Sequence, residues 1–435
     1  MTPPRTPASA GAFGARNGLA YGLLGLPLAF VALPLYVILP NHYAREFGVP
    51  LATLGAILLG ARLFDAFIDP LLGRLSDRLF ARSARAVLML GAGAALLLAL
   101  GFALLFFPPV TGPSALAAWA AVMLVLTYAA YSTLSISHQS WGAMLGGNEA
   151  ERSRIVAWRE GLGLAGVVLA SVTPVALGLP VTTGVFFVAL AAGWLAWSRA
   201  VRPVARAQAE ADAPSAVWLP FKSAAFRRLL AVFMLNGIAS AVPATLVLFF
   251  IQDRLQAPRQ MEPLFLGSYF LAAALSMPMW LAVVKRLGLA RTWLAGMLLA
   301  IAVFGWATQL GAGQVAAFAV VCALSGVALG TDLALPGALL AGVVQANGQS
   351  GRSEGAYFGW WNFATKLNLA LAAGLALPLL GVFGYAPGVR DAGALDALVI
   401  AYCVLPCALK LAAAAGLYFF ILPSSSPSLT ESAPL

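Results

Sequence analysis

The chain has 435 residues, 61% of them hydrophobic and 10% charged, with a mean hydropathy of +0.89 and a formal net charge of +10. A water-soluble domain carries about 25% charged residues, so this composition excludes one: there are too few polar groups to cover a solvated surface. The Lys and Arg excess forms no contiguous basic face of the kind a groove needs, which excludes a nucleic-acid partner.

Twelve apolar stretches follow one another, and each is long enough to cross a hydrocarbon core of ~30 Å. They are expected at 18–40, 51–72, 85–107, 114–140, 159–179, 181–199, 227–250, 263–284, 291–310, 314–341, 355–384 and 394–422. Residues 1–17 read as a short tail before a retained first helix, because the first span is too long for a signal-peptide core. With that tail inside, Lys and Arg collect in the inner connections. Only Arg45, Arg254, Arg259 and Arg390 fall outside, and Arg62, Lys366 and Lys410 lie within spans. The positive-inside bias then places both termini in the cytoplasm.

The second span is the least apolar in character. It ends in Ala61-Arg62-Leu63-Phe64-Asp65-Ala66-Phe67-Ile68-Asp69-Pro70. A lone Asp in hydrocarbon costs about 2.5–3.5 kcal/mol even on the lenient insertion scale, so these groups must face a protein or wet interior. The i,i+4 spacing stacks Asp65 and Asp69 on one helix face, with Arg62 one turn earlier. Such a pair has the chemistry to hold a cation or a proton. The alternative is a structural Arg62–Asp65 pair, which leaves Asp69 unexplained.

The longest inner connection, 200–226, separates six spans from six and reads as a linker with room for a short surface helix. The domain reading is therefore a tail at 1–17, bundles at 18–199 and 227–422 joined by 200–226, and a tail at 423–435. Gly73-Arg74-Leu75-Ser76-Asp77-Arg78 after the second span has a faint echo in Lys285-Arg286-Leu287-Gly288 after the eighth. Duplicated bundles place a substrate path at mid-membrane. Cys322, Cys403 and Cys407 lie inside spans without His or carboxylate companions, so they read as packing residues.

Gly-x-Leu-Ser-Asp-Arg between spans two and three resembles the signature of the major facilitator superfamily. There Gly73 would allow a tight inner turn, and Asp77 and Arg78 would make gate-locking charge contacts. The Arg-x-x-Asp-x-x-x-Asp-Pro run is similar to that of the glycoside–pentoside–hexuronide:cation symporters. Tyr21-Gly22-Leu23, the polar stretch Tyr131–Ser140, Glu151-Arg152-Ser153-Arg154 with Trp158-Arg159, and Glu354–Gly359 through Lys366 fit the same family. The resemblance implies an all-α membrane protein of twelve helices in two six-helix bundles, moving a small solute with a coupling ion.

It further implies that Asp65 and Asp69 form the cation site, with Ser135 and Thr133 on the fourth helix as neighbouring hydroxyls. Lys366 is a countercharge, either to that site or to Asp332 in the tenth span. Arg159 matches a sugar-contacting arginine, whose fixed fork of donors suits paired hydroxyls; the other reading is an anchor that snorkels to the interface. Tyr21, Tyr128, Tyr131 and Trp361 offer faces for a sugar ring or serve as packing. Two departures matter. Relatives carry acidic residues on the first and fourth helices where Ala29 and Ser135 align here, which puts galactosides in doubt. Ile68 replaces a polar residue, which leaves H⁺ open beside Na⁺.

The expectation is thus cation-coupled symport of a sugar or glycoside by alternating access, with a lipid-like solute as the alternative. Partners are the solute and the bilayer, the state is monomeric, and no cofactor or resident metal is implied. The Arg-rich, Lys-poor composition suggests a bacterial inner membrane. An enzyme is the rival class. Gly351-Arg352-Ser353-Glu354-Gly355 matches a nucleophile-elbow pattern literally, but it lies between two spans instead of on a strand-to-helix turn. The two histidines, His42 and His138, supply no triad, and a sensor reading lacks a signalling domain.

Overall fold

A computed structural model describes residues 13–49, 51–203, 214–382, 385, 388 and 390–425. Every regular element among them is helical. They fall into two compact units: residues up to Asp212 together with Gly348–Phe358, and Ala213–Asn347 together with Gly359–Leu435.

In the first unit, α1 (Ala15–Leu33) runs on through a π-helical turn, Pro34–Ile38, into Leu39–Glu46. Pro34 has no N–H for the ladder and crowds the preceding carbonyls, which widens that turn. It is followed by α2 (Leu51–Arg82), α3 (Ala84–Phe106), α4 (Pro113–Met144), α5 (Glu149–Pro174) and α6 (Ala176–Ser198). The second unit opens on a 3-10 helix, Pro214–Lys222. It continues with α7 (Ala224–Arg254), α8 (Glu262–Leu287), α9 (Leu289–Ala307), α10 (Val315–Ala346), α11 (Glu354–Val382), whose residues up to Phe358 belong to the first unit, and α12 (Ala392–Phe420). Ten of the twelve are apolar and long enough to cross a bilayer. The other two, α2 and α11, hold 32 and 29 residues, length enough for a span.

The helices outrun the apolar stretches that mark them in the sequence. α2 continues to Arg82 beyond residue 72, and α5 starts at Glu149, ten residues before the expected span. Backbone hydrogen bonding continues past the hydrocarbon until a cap ends it. Asn148 accepts from the Glu151 N–H while Glu151 reaches back to the Asn148 N–H, a capping box at the start of α5. Ser83, Ser223 and Asp391 accept from first-turn N–H groups and so cap α3, α7 and α12. The expected linker accordingly shortens at its far end, with α7 starting at Ala224. Residues 1–12, 204–213 and 426–435, which hold most of the expected tails and part of the linker, lie outside the described residues.

Each unit has an aromatic core. Phe30, Phe102 and Phe186 meet in the first, with centroids 5.8 and 4.7 Å apart. Phe250, Phe318 and Tyr402 meet in the second, at 5.5 and 4.3 Å. Near the start of α6 the chain turns at Gly178, with φ 79° and ψ 168°, between Pro174 and Pro180. A side chain is strained there, and the region is open essentially to glycine alone. Gly178→Ala should cost about 1–3 kcal/mol and lower the unfolding temperature of the purified protein. Val181→Ala, at a position 48% exposed, should leave it unchanged.

Candidate functional site

Asp65 and Asp69 are 3% and 0% exposed. Because α2 runs from Leu51 to Arg82, Asp65 lies about 21 Å from the Leu51 end, near the middle of the helix. From the facing α4, the Ser132 hydroxyl donates to Asp65 Oδ1 at 2.7 Å. The sequence did not single out Ser132 for this place; the two hydroxyls it did, Thr133 and Ser135, bond within their own helix. Thr133 donates to the Ala129 carbonyl at 2.7 Å, and Ser135 Oγ accepts from Gln139 Nε2 at 2.9 Å. Residues 132, 133 and 135 lie at 100° steps around α4, and the rotational phase of that helix is a packing outcome. Arg62 is half-buried on α2, and Tyr128 and Tyr131 stand on α4, the former buried. Two carboxylates and a hydroxyl form an all-oxygen donor set, suited to a hard cation or to a shared proton.

A second polar group joins α1, α4 and α5. Tyr21 donates its hydroxyl to the His138 carbonyl at 3.1 Å, and His138 Nε2 lies 2.8 Å from the Tyr21 carbonyl. A carbonyl can only accept, so Nε2 carries the proton. The two rings stack at 4.4 Å, which covers one face of Tyr21. Arg159 pairs with Glu160 through Nε at 3.0 Å and Nη2 at 2.5 Å. The sequence reading had no role for Glu160 or His138. The adjacent Arg159-Glu160 dipeptide was the available signal, but neighbours in sequence diverge on a helix, and only the curl of Arg159 unites them.

The Gly73–Arg78 motif is helical throughout, so Gly73 is required by close approach and not by a turn. A Cβ there would overlap the Gly355 carbonyl oxygen. This proximity lets Asp77 cap the first turn of α11: Oδ1 accepts from the Gly355 N–H at 2.6 Å and Oδ2 from the Ala356 N–H at 2.8 Å. Arg78 is half-buried. Asp77 and Glu354 lie beyond the apolar stretches of their helices, and Glu354 is fully buried. Burial first, and then the Glu354 charge, push the Asp77 pKa well above the usual carboxylate range, outweighing the two N–H donors.

In the second unit Asp332 is the hub of a network across four helices. Lys410 Nζ lies 2.9 Å from Asp332 Oδ2, 2.7 Å from Asn236 Oδ1 and 3.0 Å from Ser240 Oγ. Trp293 Nε1 donates to Asp332 Oδ1 at 2.9 Å and Ser240 to Oδ2 at 3.2 Å. Lys410, without a nameable partner in the sequence, therefore belongs to Asp332, the residue weighed there as a partner for Lys366. Lys366 is half-buried on α11. Trp361, one of the aromatic candidates, stacks on Phe233 at 3.8 Å. Among the described residues no group of three or more His, Cys, Asp or Glu side chains could hold a metal ion.

A helical membrane protein with its carboxylates and countercharges turned inward is a transporter in outline, and solved structures share the architecture. The Escherichia coli fucose:proton symporter FucP superposes with a TM-score of 0.70 at 14% identity, over 94% of this chain and 99% of that one. A bacterial homologue of the iron transporter ferroportin gives 0.69 at 17%, over 93% and 98%. These likenesses establish the major facilitator fold. Residues 18–424 match the family described as MFS/sugar transport protein, and the chain belongs to that family.

Curated relatives agree. YagG of Escherichia coli K12, provisionally named a glycoside/cation symporter, is 26% identical over 153 residues, 35% of this chain. The inner membrane symporter YicJ of the same organism is 27% identical over 132 residues, 30% of this chain. The aligned segments span about a third of these relatives, 33% and 28% of their lengths. The protein is a multi-pass membrane transporter and not an enzyme.

Two outcomes test this chemistry. Lys410→Met alone strands a buried carboxylate and should cost about 3–5 kcal/mol in unfolding assays, whereas Lys410→Met with Asp332→Leu should recover most of it. For Asp77, a folded pKa above the unfolded value means folding favours the protonated form. That contribution is complete below an unfolded pKa of about 3.9 and fades as pH climbs through the folded value. The unfolding temperature should therefore fall as the pH rises above about 3.9, and Glu354→Gln, which removes the like charge, should flatten the fall.

Proposed function

We propose that this protein is a cation-coupled symporter of a sugar or glycoside, working by alternating access in a bacterial inner membrane with both termini cytoplasmic. Asp65, Asp69 and the Ser132 hydroxyl hold the coupling cation, Na⁺ or H⁺. Arg159 and Glu160 provide a donor fork and an acceptor carboxylate for solute hydroxyls, with Tyr21 beside them. Lys366 balances the membrane-embedded negative charge when the cation has left. Asp77 steadies α11 against α2 in one state of the cycle.

The observation that carries this reading is the buried Asp65–Asp69 pair bonded by Ser132. Two buried carboxylates one helical turn apart, with a hydroxyl beside them, suit the reversible uptake of an ion or proton. A sugar is favoured over a purely apolar solute because the Arg159–Glu160–Tyr21 group is polar and inward-facing on its helices. The names of YagG and YicJ point the same way.

The test is uptake into proteoliposomes of radiolabelled hexoses, pentoses and their methyl glycosides, with an imposed inward Na⁺ or H⁺ gradient. Asp65→Asn and Asp69→Asn should each reduce gradient-driven accumulation by about tenfold or more, while equilibrative exchange persists. Ser132→Ala should raise the cation concentration needed for half-maximal uptake with a smaller loss of rate. Accumulation at wild-type level in both Asn variants would sink the coupling reading. Loss of exchange together with coupling would move the pair to the solute site.

A further inference from the structure

The second unit holds a partly open cavity of about 190 Å³ that has no part in the functions assigned above. Residues of α7, α8, α9, α10 and α12 line it, and none of α11 does. Its walls are mainly apolar and include five aromatic rings: Phe265, Tyr269 and Phe270 on α8, Phe304 on α9 and Tyr402 on α12. The Ser240–Asp332–Lys410 network closes one end. A dry apolar cavity of ~150 Å³ already takes a benzene ring, so this one has room for a ring with a substituent.

The chemistry of the polar end narrows the occupant. All three Lys410 protons are committed, to Asn236, Ser240 and Asp332, so the ammonium has nothing left to donate. Asp332 Oδ1 accepts from Trp293 and has a second lone pair, and Tyr269 lines the same cavity. The Asp332–Lys410 pair is already neutral as a unit, so a charged ligand would bring uncompensated charge into a membrane interior. We propose that this cavity is a binding site for an uncharged small molecule with a ring of about six to ten heavy atoms and one hydroxyl. The ring sits among Phe265, Phe270 and Phe304, and the hydroxyl donates to Asp332 and contacts Tyr269. Occupancy is independent of the α2 carboxylates.

Fluorine NMR on the full-length protein in nanodiscs tests this, with 4-fluorobenzyl alcohol as the probe and 4-fluorotoluene as its donor-less comparator. Wild type should bind the alcohol saturably and about tenfold more tightly than fluorotoluene, the worth of one buried hydrogen bond. Cyclohexanol should displace it. Ala328→Leu and Ala300→Leu, which fill the cavity from α10 and α9, should each abolish saturable binding without lowering the unfolding temperature. Tyr269→Phe should weaken the alcohol selectively, and Asp65→Asn should leave binding unchanged. Absence of saturable binding in wild type, equal affinity for the two probes, or binding that survives both filling variants overturns the proposal. The first two outcomes need no variant to fold.

Discussion

Hydrocarbon cannot solvate an ion, and this constraint organises both units. Each of the charges placed within the apolar helices has to be satisfied from inside, by another side chain or by a transported ion. The second unit answers with a neutral network, in which Lys410 spends three donors on Asp332, Asn236 and Ser240 while Trp293 donates to the carboxylate. That arrangement ties α7, α9, α10 and α12 together and leaves little charge for exchange. The first unit answers differently. Asp65 and Asp69 are two acids on one helix face with a hydroxyl donor from α4, an arrangement that gains most from a passing cation. The proposal of ion coupling at the first unit's acids, and of a structural role for the second unit's Lys410–Asp332 pair, rests on this difference in donor chemistry.

The ends of the helices obey a different rule. Beyond the hydrocarbon, water is available, and helix length is governed by capping. The Asn148–Glu151 box extends α5 well before its apolar stretch, and Asp77 places its carboxylate on the first N–H groups of α11. The second contact depends on Gly73 and Gly355 lacking side chains, since any Cβ at either would meet the other's carbonyl oxygen. Glycine and aspartate in this motif are therefore one device: the first permits the approach that the second exploits. Helix N-termini favour negative charge, and the neighbouring Glu354 offsets part of that preference.

Much of this was legible in one dimension. Composition and span length determined a polytopic helical membrane protein, because burial of ~20 consecutive residues needs no partner beyond lipid. The stacking of Asp65 on Asp69 followed from helical periodicity alone. The family motifs at 61–70 and 73–78 pointed to the major facilitator fold, which the family match and the solved structures bear out. Hydropathy could not show where helices end, since polar turns continue the same hydrogen-bond ladder without an apolar signal. It also could not show that Gly73 sits inside a helix.

What only the tertiary structure decided is which side chain meets which. The phase of α4 brings Ser132 to Asp65 and turns Thr133 and Ser135 away, a difference of one or two residues that local sequence does not encode. Lys410 and Asp332 are 78 positions apart and meet because α10 and α12 pack in one unit. Glu160 joins Arg159 only because the guanidinium folds back along α5. The sequence by itself determined that buried carboxylates exist and share a helix face, because that depends on spacing. Their partners depend on helix rotation and packing, which exist only once the bundle has formed.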